Sequence, residues 1–174
     1  MIRSTDAYLD IETTGLSPYY DTITVIGIFL CNGRNEELVQ LVGDQVTLDN
    51  LLAALKSVRM IYTYNGRRFD LPFIESYLGV DLSTLYHHHD LMYDCHRLNL
   101  RGGFKAVERQ LQIPRKLQDI SGFDAVLLWN KYEYNYDRDA LDLLLQYNSE
   151  DVINLKILRE RLAECSTYSY DRDN

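Results

Sequence analysis

The sequence predicts an α/β fold, a mixed five-stranded sheet with three antiparallel strands followed by parallel ones, flanked by helices. Three observations predict it. The chain opens with three strand-like runs in succession, the last two joined by Asn32-Gly33, a hairpin signal. A fourth run is reached through a helical stretch, the connection that parallel strands require. Beyond a short fifth run at Tyr86 to Asp90, the pattern is helical to the end.

Taken in order, Thr5 to Ile11 alternates and reads as a strand. Thr22 to Cys31 is rich in β-branched residues, the composition of a central strand. Glu36 to Val42 returns beside it. Asp49 to Ser57 has helical spacing in Leu51, Leu52 and Leu55, and Val58 to Tyr64 is the fourth strand. Asp70 to Leu78 reads as a short helix with Pro72 in its first turn, where proline is tolerated. The later helices are interrupted at Gly102-Gly103, Pro114 and Gly122, and the last runs from about Asp137 to Ala163.

At 174 residues and 46% hydrophobic, the chain suits one compact domain, residues 1–165, with a polar tail at 166–174 expected to fray. No apolar run approaches the roughly 18 residues of a membrane span, and the start lacks the apolar stretch of a signal peptide. Three cysteines without CxxC spacing read as reduced thiols of a cytoplasmic protein. A net charge of −8 disfavours a large nucleic-acid surface but leaves room for a small site gripping a few nucleotides through metal ions.

Three segments place carboxylates at the edges of apolar elements. Asp10 and Glu12 lie two apart on a strand, so they share one face while Leu9 and Ile11 take the other. Like charges about 4 Å apart repel by roughly 4 kcal/mol at an effective dielectric near 20. Either a cation offsets that, or the strand end emerges into solvent. Asp70 follows the strand end at Asn65-Gly66 and reads by itself as a helix N-cap, with a ligand role the alternative. Tyr147 and Asp151 are four apart on the last helix, on the stripe of Leu144, Leu155, Leu158 and Leu162. Either they meet partners in the interior, or the tyrosine packs at a boundary and the aspartate is exposed. Four acids and a tyrosine are the components of a two-metal phosphodiester-cleaving site, with oxygen ligands suited to Mg2+ or Mn2+.

These segments resemble a family. Tyr8–Leu16 (YLDIETTGL), Tyr64–Ile74 (YNGRRFDLPFI) and Tyr147–Asp151 (YNSED) are similar, in order, to the three motifs of the DnaQ-like, or DEDD, 3′–5′ exonuclease superfamily. Tyrosine four before the last aspartate matches its DEDDy branch. The second motif, together with HHDLMY and YNSEDVINLKIL, looks most like the YprB-type ribonuclease-H-like group. The resemblance implies a ribonuclease-H-like fold and two divalent ions on Asp10, Glu12, Asp70 and Asp151, with Tyr147 orienting the attacking water. It implies that Thr13, Gly15 and Leu16 line the 3′-terminal nucleotide and that Asn65 and Phe69 support the scissile end. The expected activity is exonucleolytic release of nucleoside monophosphates from single-stranded or frayed nucleic acid. The alternatives are a ribonuclease-H-like endonuclease and a non-catalytic nucleic-acid-binding module.

Other features carry bland readings. From Arg97 to Lys116 six basic residues face one acid, Glu108, and read as a solvated helix face or as a phosphate track. Tyr132, Tyr134 and Tyr136 read as loop packing or base-stacking rings. His87-His88-His89 cannot all point one way on a strand and do not make a zinc site. Asp90 is expected near the site without a metal role, and Trp129 in packing.

Overall fold

The computed structural model describes residues 5–33 and 35–170, the last five of these by backbone alone. Five strands form one sheet: β1 (Thr5–Thr13), β2 (Ile23–Asn32), β3 (Asn35–Val42), β4 (Val58–Thr63) and β5 (His87–Asp90), in the order β3-β2-β1-β4-β5. β1 pairs antiparallel with β2 and parallel with β4, and β4 parallel with β5. The antiparallel pair β2–β3 turns at Gly33, whose φ of +66° suits the Asn32-Gly33 hairpin signal. Seven helices accompany the sheet among the described residues: α1 (Leu48–Ala54), α2 (Asp70–Leu78), α3 (Leu82–Leu85), α4 (Leu91–Arg97), α5 (Phe104–Gln110), α6 (Gly122–Asn135) and α7 (Arg138–Tyr170).

Period two sorts β1 onto both faces of the sheet. Ala7, Leu9 and Ile11 pack with Leu51 of α1, with Leu55 just after it, and with Phe73 and Ile74 of α2. Tyr8, on the opposite face, joins Val107 of α5 and Val152, Leu155 and Leu158 of α7. Upstream on α7, Leu141, Leu144 and Tyr147 pack with Val25 and with Ala125, Leu128 and Trp129 of α6. α7 therefore crosses the sheet on the face that carries Asp10 and Glu12, and two apolar clusters grip it on either side of the acids.

The differences from expectation are local. β1 runs two residues past Ile11 because β2 keeps pairing with it, Glu12 with Val25 and Thr13 with Ile23. α1 starts at Leu48, capped by the Thr47 side chain, and ends at Ala54. α7 starts after Asp137, whose carboxylate accepts from Ala140 N at 3.0 Å. Its backbone continues through Tyr170, past Ala163, because no Gly or Pro interrupts it. The remainder of the expected tail, 171–174, lies outside the described residues. A 3-10 turn at Gly43–Gln45 and the four-residue α3 are too short to show a period in the sequence. No helix among the described residues is long and apolar enough to cross a membrane.

Candidate active site

The parallel strands β1 and β4 part at their C-terminal ends. Their ladder stops at Tyr8–Tyr62, while β1 continues to Thr13 on β2 alone. The Ile11 N–H on that opened edge donates to Asp70 Oδ1 at 3.1 Å. Asp70, the first residue of α2, makes no side-chain cap there and is 3% exposed. Its carboxylate thus ties α2 to β1 rather than capping its own helix.

Asp70 is presented by a strained turn. Asn65 has φ of +62°, a conformation asparagine tolerates better than most residues. The buried Asp90 carboxylate holds the turn, accepting from Asn65 N at 2.8 Å and Arg67 N at 3.1 Å, and it also caps α4 through Met92 N at 3.1 Å. Both Asp90 oxygens are spent on backbone. The Phe69 ring packs on Phe73, 5.2 Å between centroids.

Asp10, Glu12 and Asp151 converge, each offering an oxygen within 4.8 Å of the others. Glu12 and Asp151 are buried, and Asp10 opens onto a cleft of about 440 Å3 that it shares with Tyr147, Asp151 and Lys105. Asp151 lies on the buried stripe and is not exposed beside it. Asp70 lies outside this triad but close enough that its charge bears on Asp10 and Glu12.

Burial pushes Asp10 well above the ordinary carboxylate range, and the charges of Asp151, Asp70 and Glu12 push it further. Glu12 rises for the same reasons, burial first and then Asp151, while an Asn148 hydrogen bond opposes the shift. Burial lifts Asp70 to about 7 against its backbone hydrogen bonds, and Asp151 to about 6 against the pull of Arg115. Without added cations the acids crowd one another out of ionisation. Oxygen donors so arranged fit a hard divalent cation, which would relieve that repulsion.

Three polar residues, Asn148, Arg115 and Lys105, complete the site, and no local pattern marks them as part of it. Asn148 is wholly buried and sends Nδ2 toward the Asp10 carbonyl at 3.4 Å and Glu12 Oε1 at 3.4 Å. Gln40 Nε2 donates to its Oδ1 at 3.0 Å. Asn148 fits because Gly27, paired with Asp10 on β1, has no side chain; a Cβ there would collide with the Asn148 amide. A glycine inside a β-branched strand is a sign of such close approach.

Arg115 and Lys105 turn inward from the basic run, so that run is not a single solvated face. The Arg115 guanidinium is forked onto Glu108, Nε to Oε2 at 2.7 Å and Nη2 to Oε1 at 2.8 Å, and Nη2 also pairs with Asp151. Burial works against its charge, but Glu108 and Asp151 outweigh this and hold it protonated. Lys105 Nζ sits 4.7 Å from the Tyr147 ring centroid, buried and with no hydrogen-bond partner among the described residues. Burial, with Arg115, lowers its proton affinity. Burial and the neighbouring acids push the Tyr147 phenol far above its usual value, so it stays protonated at neutral pH.

The other expected contacts lie on the loop after β1. Thr13 is buried and spends its hydroxyl on the Gly15 carbonyl at 2.5 Å. Leu16 stands out in solvent. Away from the site, His88 meets Thr63 and His89 pairs with Asp94, Tyr132 packs on Trp129, and Tyr134 and Tyr136 are exposed. Cys31, Cys95 and Cys165 are free thiols.

Known proteins share this arrangement of strands and helices. YprB of Bacillus subtilis (strain 168) is 25% identical over 171 aligned residues, taking in 85% of this chain and 39% of that protein. The chain thus spans about two fifths of this relative's length. A family B DNA polymerase from the archaeon Pyrobaculum calidifontis matches with a TM-score of 0.70 at 17% identity, over 92% of this chain and 24% of the polymerase. Brucella melitensis NrnC, solved with bound Mg2+, matches with a TM-score of 0.59 at 19% identity, over 94% of this chain and 74% of NrnC. The same protein bound to pGG gives a TM-score of 0.59 at 20% identity over the same shares, 94% and 74%. At such identities these structures speak for the fold. A family model of the RNase_H superfamily matches residues 7–163, and the chain belongs to that superfamily.

Proposed function

We propose that this chain is a metal-dependent 3′–5′ exonuclease of the DEDDy type. It would release nucleoside monophosphates from single-stranded or frayed nucleic acid. The observation that carries the reading is the convergence of Asp10 and Glu12 of β1 with Asp151 of α7 beside a cleft that also holds Tyr147, with Asp70 of α2 bonded to β1 next to them.

Asp10, Glu12, Asp70 and Asp151 would hold two divalent ions, Mg2+ or Mn2+. Such ions supply Lewis-acid charge for an in-line displacement at phosphorus. The charge balance supports this. Asp10, Glu12, Asp70, Asp151 and Glu108 lie about Lys105 and Arg115, so the ionised site carries more negative than positive charge, an excess that divalent ions would offset. NrnC, similar in fold, is described with Mg2+ and with pGG, which supports the same ligand classes here.

Tyr147 keeps its proton, so it acts as a hydrogen-bond partner that orients water and not as the base. Lys105 carries a desolvated ammonium into the cleft, positioned to grip a phosphate oxygen. Thr13 and Gly15 shape the loop on which Leu16 meets the terminal nucleotide, while Asn65 and Phe69 hold the turn that presents Asp70.

The test is incubation with Mn2+ and 5′-labelled single-stranded DNA or RNA. The expected product is a ladder shortening by one nucleotide from the 3′ end, absent with Asp10→Ala and slowed but present with Tyr147→Phe. Discrete internal cuts would replace this reading with an endonuclease, and an intact but bound strand with a non-catalytic module.

A further inference from the structure

The loop between β1 and β2 carries, beyond Leu16, two exposed rings that the carboxylate site does not use. Tyr19 and Tyr20 are 84% and 91% exposed, and Leu16 beside them 84%. Isolated apolar side chains are ordinary on a protein surface; three within five positions of one loop mark a contact surface.

The loop is braced without help from these side chains. Thr14 N donates to Thr22 O at 3.0 Å across its neck, and Tyr20 N and Asp21 N both reach Ser17 O, at 3.2 and 2.9 Å. Asp21 Oδ2 accepts from Ser17 N at 2.9 Å, and the same carboxylate lies 2.5 Å from where a Cβ on Gly15 would stand. Ser76 Oγ of α2 donates to Pro18 O at 2.6 Å. The loop is thus tied to β1, which bears Asp10 and Glu12, and to α2, which bears Asp70.

We propose that Tyr19 and Tyr20 form a stacking platform for the bases of a single-stranded nucleic acid, upstream of the nucleotide held at the carboxylates. This rests on the nuclease reading above. The chain's net charge of −8 leaves the phosphate backbone little general attraction outside the cleft that holds Lys105, so contacts to the bases supply affinity there. Tyrosine suits that role, because its ring stacks on any base while its hydroxyl stays hydrated in the free protein. The braced loop holds both rings ready at little entropic cost. The platform selects unpaired strands of any sequence.

The experiment is fluorescence anisotropy of 5′-labelled single strands of two and eight nucleotides with the full chain of native sequence in Ca2+, whose looser coordination holds the strand end without supporting rapid cleavage. Tyr19→Ala or Tyr20→Ala is expected to weaken eight-nucleotide binding by about tenfold each. Tyr→Phe at the same positions restores it, dinucleotide affinity is unchanged, and binding falls only shallowly with salt. Both rings are exposed, so an unchanged melting temperature checks the fold. Eight-nucleotide binding unaffected by the double alanine variant would overturn the platform while leaving the nuclease reading in place. Equal losses on the dinucleotide would overturn its upstream position. No binding of either strand by the parent protein would overturn both proposals together.

Discussion

A guanidinium that is 8% exposed needs its charge matched, and Arg115 finds that match in Glu108, 1% exposed, and in Asp151, while its Nη1 has no hydrogen-bond partner among the described residues. Asn154 Nδ2 donates to the same Glu108 carboxylate at 2.7 Å, closing a network that joins α5, the segment after it and α7. Replacing Arg115 by Met strands two buried carboxylates and is expected to cost about 3–5 kcal/mol, the range for a broken buried pair. Adding Glu108→Gln to Arg115→Met is expected to recover part of that loss. Chemical denaturation of the single and double variants checks both statements; a cost under about 1 kcal/mol for Arg115→Met would mean that the network adds nothing. The pairing spans 36 positions between Arg115 and Asp151, so no local pattern in the sequence reveals it. Asp10, Glu12, Asp70, Tyr147 and Asp151 each fitted a bland reading alone, and it was the order of the three segments and their resemblance to known motifs that singled them out. Their polar supports were not legible, because a basic run reads as a surface unless its partners are known.

Strands and long helices announce themselves through period two and period 3.6, and the five strands and α7 were legible on that basis. α3 and the 3-10 turn are too short to show a period, whereas α5 falls between the interruptions expected at Gly102-Gly103 and Pro114. The seating of α7 on the sheet belongs to this scale. Asn148 fills the space that Gly27 leaves on β2, and Gln40 on β3 fixes the amide. Gly27→Ala is expected to push α7 away from Asp10, destabilising the fold by about 1–3 kcal/mol as overpacking does. Cleavage should fall as well, since Tyr147 and Asp151 ride on the displaced helix. An alanine variant with unchanged melting temperature and activity would show that α7 does not depend on this contact.

For the whole molecule, the four acids link stability to pH and to metal. Their folded-state values lie above the unfolded ones, with Asp70 at about 7, Asp151 at about 6, and Asp10 and Glu12 well raised. The metal-free fold therefore binds protons more tightly than the unfolded chain at these groups. Their contribution to stability is full below pH about 4, the unfolded carboxyl range, and is lost as pH rises through about 6 and 7. Asp94, drawn down by His89 and Arg97 against the effect of burial, works in the opposite direction. Thermal melting of the metal-free protein should show a falling midpoint between pH 5 and 8, about the window these values span. Saturating Mn2+ should flatten that slope, because the ions favour the ionised carboxylates. A midpoint that is flat with pH in both conditions would show that these acids are not crowded.

The most direct test of the site is calorimetric titration of Mn2+ into the metal-free protein at pH about 7.5, above the raised values of Asp70 and Asp151, with Asp10→Ala alongside. Saturable binding approaching two ions per chain, with protons released, is expected for the native sequence, and its loss or severe weakening for Asp10→Ala. At about 100 times the dissociation constant, the bound ions should add about 2.7 kcal/mol per site. No heat of binding to the native sequence, or an identical isotherm for Asp10→Ala, would contradict a metal centre built on these carboxylates.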